Sequence, residues 1–83
     1  MNAKHKKTKS AIFAKPTPTS IEWSDIESLI IALGGNIKQN KGSRVRIDLN
    51  GYSLNIHSPH PQKEVKIYVV KLLREFLEKA GIQ

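Results

Sequence analysis

Cysteine is absent from this 83-residue chain, so neither disulfides nor thiolate zinc sites hold it and the fold rests on its apolar core. That agrees with a reducing compartment. Acids are scarce, 7 against 14 lysines and arginines, which leaves a net charge of +7. No apolar run approaches membrane-spanning length, and residues 11–14 are too short for the apolar part of a signal peptide despite the lysines before them. The expectation is a soluble cytoplasmic protein with no membrane partner. The length itself allows one small domain with no room for a deep substrate cavity, so any chemistry has to sit on a surface.

The positive charge is unevenly spread. Residues 1–20 carry Lys4, Lys6, Lys7, Lys9 and Lys15 and no acid, while residues 21–83 carry nine bases against seven acids. With Pro16, Pro18 and three threonines, the first segment lacks a helical or strand period. Residues 1–20 therefore read as a disordered basic tail, either a solubilising extension or a nonspecific attractor of nucleic acid. The folded domain is expected over 21–83.

Ser24-Asp25-Ile26-Glu27 has the capping-box pattern, which predicts a helix starting at Ser24. Ile26, Leu29, Ile30 and Leu33 fall on one stripe, and Gly34-Gly35 closes the helix. Trp23, just before the cap, reads as a lid on the core edge rather than a base-stacking platform. A short strand follows over residues 36–39. After the prolines at 59 and 61, a broad apolar face of Val69, Val70, Leu73, Phe76, Leu77 and Ala80 marks a second helix from about Lys66, stopped by Gly81.

Residues 42–57 are the most informative stretch, because two alternating strands meet at Asn50-Gly51 and fix each other's register. Val45, Ile47, Leu49, Tyr52, Leu54 and Ile56 share the apolar side. Arg44, Arg46, Asp48, Ser53, Asn55 and His57 share the other. A two-residue turn pairs Leu49 with Tyr52, and counting outward sets Arg46 opposite Asn55 and Arg44 opposite His57. Two cations and an imidazole on one wet face suit a phosphodiester. The order helix, strand, strand, strand, helix predicts an α+β fold: a three-stranded antiparallel sheet with both helices on one face.

Gly42-Ser43, the Pro59-His60-Pro61 turn, Lys63-Glu64-Val65 and the terminal Ala80-Gly81-Ile82 resemble the HicA family, the toxins of HicA–HicB toxin–antitoxin pairs, over nearly the whole folded part. The resemblance implies a double-stranded-RNA-binding-domain-like fold and metal-free endoribonuclease action on mRNA. It also implies neutralisation by a HicB-type antitoxin, and neither a metal nor a small-molecule cofactor. Residues 1–20 lie outside it.

One departure bears on the chemistry. Many HicA members carry a catalytic histidine in a Gly-Ser-His motif, and here Arg44 follows Gly42-Ser43. Arginine stays protonated at neutral pH, so it binds phosphate and stabilises negative charge but does not serve as an ordinary general base. Metal-free RNA cleavage needs a base for the 2′-hydroxyl proton, charge stabilisation at phosphorus, and an acid for the leaving oxygen. Histidine suits the proton steps.

The candidate catalytic set is His57, Arg44 and His60, with Arg46, Lys41, Ser43, Lys63 and Lys66 as candidate RNA-binding residues. Also open on the residues alone, His57 is an exposed strand histidine with no task, and His60 only bonds backbone between its prolines. The His57, His60 spacing lacks the acidic or thiolate neighbours of a metal site. Two other functions stay open: a catalytically impaired RNA-binding module, favoured by Arg44 in place of the histidine, and an interaction protein acting through its antitoxin. No helix-turn-helix pattern is present to read DNA directly.

Overall fold

The computed structural model describes residues 2–59 and 62–82. The chain runs through α1 (Ala3–Phe13), α2 (Trp23–Ala32), β1 (Asn36–Gln39), β2 (Arg44–Leu49), β3 (Tyr52–His57) and α3 (Ile67–Lys79). The three strands form one antiparallel sheet in the order β1-β2-β3. From α2 onward this is the expected α+β order.

The hairpin has the expected register, with Arg44 paired to His57, Arg46 to Asn55, Asp48 to Ser53 and Leu49 to Tyr52. Asn50 at φ 51° and Gly51 at φ 85° supply the two positive φ angles that a two-residue turn of this hand requires. The Asn50 side chain also donates to the carbonyl of Ala80 at 2.8 Å, tying the hairpin tip to an otherwise unpaired carbonyl at the end of α3.

Burial alternates along β2: Val45, Ile47 and Leu49 are buried, and Arg44 and Arg46 are exposed. With Ile56 they form one core with Ile26, Leu29 and Ile30 of α2 and Val69, Val70, Leu73, Phe76 and Leu77 of α3. Helix α2 packs beside β1 and α3 beside β3, which leaves the opposite face of the sheet to the polar side chains. Tyr52 departs from the pattern. It is 48 % exposed although it sits at an apolar register position, as the first residue of edge strand β3.

The C-termini of α2 and α3 close with paired bonds around a positive-φ glycine. Gly34 and Gly35 donate to Ile31 and Ile30 after α2, and Gly81 and Ile82 donate to Glu78 and Leu77 after α3. Gly35 is fixed for a second reason. A Cβ there would stand 2.7 Å from the Asp48 carbonyl oxygen and 2.8 Å from the Ile30 side chain, so only glycine lets α2 turn directly into the sheet.

Two expectations are corrected. The capping box does not form: α2 starts at Trp23 with Glu22 at the cap and no side-chain cap bond, and the Ser28 hydroxyl instead bonds back to the Ser24 carbonyl. The reason lies across the chain. The Trp23 N–H donates to the carbonyl of Lys63 and the Val65 N–H to that of Ile21, so a short antiparallel bridge sets where the helix begins.

The first twenty residues are not a disordered tail either. Residues 3–13 are helical, capped by Asn2 accepting from the His5 N–H at 2.9 Å, and α1 packs on both α2 and α3. Ile12 is fully buried and Thr8 nearly so. Arg74 of α3 anchors the segment after α1, donating to the carbonyls of Ile12 and Ala14 and to the Thr17 hydroxyl at 2.9, 3.0 and 3.1 Å. Burying one isoleucine is worth about 1.5–3 kcal/mol, enough with these bonds to order a segment of good helix formers.

Candidate functional site

The site is built where β3 ends and the chain returns toward α3. In a two-residue hairpin the closing pair, Leu49 with Tyr52, exchanges both backbone bonds and the pairs then alternate. Arg44 and His57 therefore form a non-hydrogen-bonded pair, the closer kind, with Cα atoms about 4.5 Å apart. The next pair outward is closed again by the Ser58 N–H donating to the Ser43 carbonyl at 2.8 Å. Ser43, in the turn before β2, brings its Oγ to 3.4 Å from His57 Nδ1. Three of the expected residues, Ser43, Arg44 and His57, thus stand together.

Two recesses flank this trio. On the α3 side, His57, Val65, Lys66, Tyr68 and Val69 surround a cavity of about 130 Å³. Lys66 caps the first turn of α3, which carries no acid, and lines the same recess as the imidazole. On the α2 side, Trp23, Glu27, Gln39 and Ser43 line an open groove of about 680 Å³, continued past Trp23 and Glu27 toward Lys63 by another of about 390 Å³.

The remaining candidates are placed differently. Arg46 is drawn along its own strand: Nε donates to Asp48 Oδ1 at 3.0 Å, and Nη2 to the Ser53 hydroxyl at 3.2 Å. The Ser53 hydroxyl in turn donates to Asp48. The bond from Ser53 and then that from Arg46 hold the Asp48 carboxyl below its ordinary value. Arg44, by contrast, makes no ion pair among the described residues. Lys41 is exposed in the β1–β2 turn and lines neither recess. His60 lies outside the described residues. Among the described residues, no three His, Asp or Glu side chains converge to hold a metal ion.

The sequence reading missed Tyr68 and the Trp23–Glu27 groove. Tyr68 is 53 % exposed beside His57, and its signal was an aromatic in the first turn of a helix, off the apolar stripe. Trp23 is half-buried and lines an open groove as well as flanking the core.

Residues 23–82 match the family model of the HicA toxin of bacterial toxin–antitoxin systems. The chain belongs to the HicA toxin family. No curated protein and no solved structure matches it. Membership makes the chain the toxin component of a toxin–antitoxin pair and implies an antitoxin partner. Helix α1 lies outside the matched region and docks on the two helices within it. No helix among the described residues is long and apolar enough to cross a membrane.

Proposed function

We propose that this HicA chain is a metal-independent endoribonuclease that cleaves mRNA and inhibits translation, with His57 and Arg44 at its centre. The observation that carries the reading is the cross-strand pair itself, an imidazole beside an arginine that makes no ion pair among the described residues, on an exposed face between two recesses.

His57 is the proton-transfer group. When Nδ1–H donates to Ser43 Oγ, Nε2 presents its lone pair outward, the form a general base requires. The base takes the proton of a ribose 2′-hydroxyl, the 2′-oxygen attacks the adjacent phosphorus, and the 5′-oxygen leaves with a proton returned by an acid. The products are a 2′,3′-cyclic phosphate and a 5′-hydroxyl end. Arg44 stabilises the charge that gathers on the phosphoryl oxygens, with two N–H groups side by side to meet them. Lys66, and Lys63 at the far end of the groove, hold neighbouring phosphates. His60 remains a candidate second proton-transfer group. Arg46, engaged by Asp48 and Ser53, and Lys41 add positive field to the face.

The partner is a HicB-type antitoxin. An enzyme whose groups lie on an open face is silenced by covering that face, so the antitoxin buries the region around Arg44, His57 and Lys63 with acidic or polar groups.

The test is incubation of the purified chain with mRNA in the presence of a metal chelator, with analysis of the product ends. Cyclic phosphate and 5′-hydroxyl ends are expected; 5′-phosphate ends would overturn the mechanism. RNA that is bound but left intact would establish the second reading, a catalytically impaired RNA-binding module, which Arg44 in the place of the motif histidine favours.

A further inference from the structure

The groove on the α2 side has a composition at odds with simple phosphate binding. Glu27 and Trp23, both half-buried, line it from α2, and Gln39 and Ser43 complete the wall on the strand side. Glu27 forms neither of the two ion pairs recorded among the described residues, which join Lys4 to Asp25 and Arg46 to Asp48. A carboxylate held in no ion pair among the described residues repels phosphate. In a protein of net charge +7, beside the face that carries Arg44 and His57, it weakens general attraction to RNA unless it meets a hydrogen-bond donor. The indole supplies the complementary half of such a contact, a flat face for a base to stack on.

We propose that this groove is a nucleobase subsite that selects guanine at the nucleotide next to the scissile phosphate. Among the four RNA bases, guanine alone places two parallel donors, N1–H and the N2 amino group, on its Watson–Crick edge, where one carboxylate accepts both. Adenine and cytosine bring one amino donor beside an acceptor that a carboxylate repels. Uracil brings one donor flanked by two carbonyls. Ser43 links the subsite to the chemistry, because it lines the groove and also contacts His57. The Trp23 backbone is pinned by its bond to Lys63 at 2.9 Å, so the indole is presented from a fixed point. The inference rests on the proposal that RNA binds at this face, and adds to it which base is read and by which residue.

Trp23 is the only tryptophan of the chain, so its fluorescence reports stacking in this groove directly. The full-length protein is titrated with four 2′-O-methyl trinucleotides, each presenting a different central base; they lack the attacking hydroxyl and are not cleaved. The guanine trinucleotide is expected to quench Trp23 most and to bind about tenfold or more tighter than the others, as two hydrogen bonds to a charged group allow. Glu27→Gln replaces the two acceptors by one acceptor and one donor. It should lose the guanine preference and move it toward adenine while retaining the fold by circular dichroism.

Equal binding of all four trinucleotides, or an unchanged guanine preference in Glu27→Gln, would overturn the subsite and leave RNA binding in place. Absence of binding by any trinucleotide, with intact RNA also unbound, would overturn both this inference and the ribonuclease reading. A Glu27→Gln protein that does not fold is replaced by Gln39→Glu in the same assay. A second carboxylate there should strengthen discrimination for guanine, and an unaltered ranking would overturn the proposal.

Discussion

Ser43 and His57 meet across the open end of the β2–β3 hairpin, Oγ to Nδ1 at 3.4 Å, one residue from the point where Arg44 and His57 pair directly. The hydroxyl comes from a turn and the imidazole from the last residue of a strand, so the contact depends on the hairpin register being kept to its end.

If Ser43 orients the imidazole, Ser43→Ala should slow cleavage only about two- to tenfold, the worth of one exposed hydrogen bond, and Ser43→Thr should restore most of it. The imidazole nitrogen chemical shifts should show a changed tautomer ratio in Ser43→Ala. Unchanged shifts and unchanged rate would remove Ser43 from the site.

The two arginines of β2 should differ sharply. Arg44→Ala is expected to slow cleavage about tenfold to a hundredfold, with partial recovery in Arg44→Lys because lysine lacks the paired N–H groups. Arg46→Ala should cost far less activity, since its guanidinium is engaged by Asp48 and Ser53. Measured single-turnover rates for the three variants decide the order.

The first segment now belongs to the folding unit. Ile12→Ala should destabilise by about 2–5 kcal/mol, and Arg74→Ala should loosen residues 12–17. Deletion of residues 1–20, harmless if they were a disordered tail, should lower the denaturant midpoint clearly. Coincident unfolding curves for the full and shortened chains would show that α1 contributes nothing to stability.

How much was legible in the sequence depends on how local the signal was. The hairpin was readable residue by residue because Asn50-Gly51 fixes a turn length, and strand alternation does the rest. Helix α3 was readable from its one broad apolar face. The start of α2 was not, since a backbone bridge to residues 63–65 overrides the Ser24–Glu27 pattern. Helix α1 was hidden because its buried stripe is narrow and includes a threonine, and its deciding partner, Arg74, lies 60 residues further along the chain from Ala14. Its signals were Asn2 as a cap and lysine's good helix propensity, which were outweighed by reading the lysines as a mark of disorder. In the site, the register placed Arg44 opposite His57, whereas the groove around Glu27 arises only where α2 meets the β1–β2 turn.

Asp48 makes stability depend on acidity. Its carboxyl is held below the ordinary value, first by Ser53, so it contributes stability that is complete above that ordinary value and disappears as pH falls through its lower folded value. The thermal-midpoint difference between the parent and Ser53→Ala should therefore be widest near neutrality and shrink in strong acid. A difference that grows on acidification would contradict the assignment.

The central claim is that His57 transfers protons during RNA cleavage. It is tested most directly by the cleavage rate of purified His57→Ala on mRNA in chelator, beside the parent protein and with the fold checked by its thermal midpoint. His57 is exposed and its loss opens no cavity, so the midpoint should be nearly unchanged while cleavage falls by about a hundredfold or more. A folded His57→Ala protein that cuts at the parental rate would contradict the account.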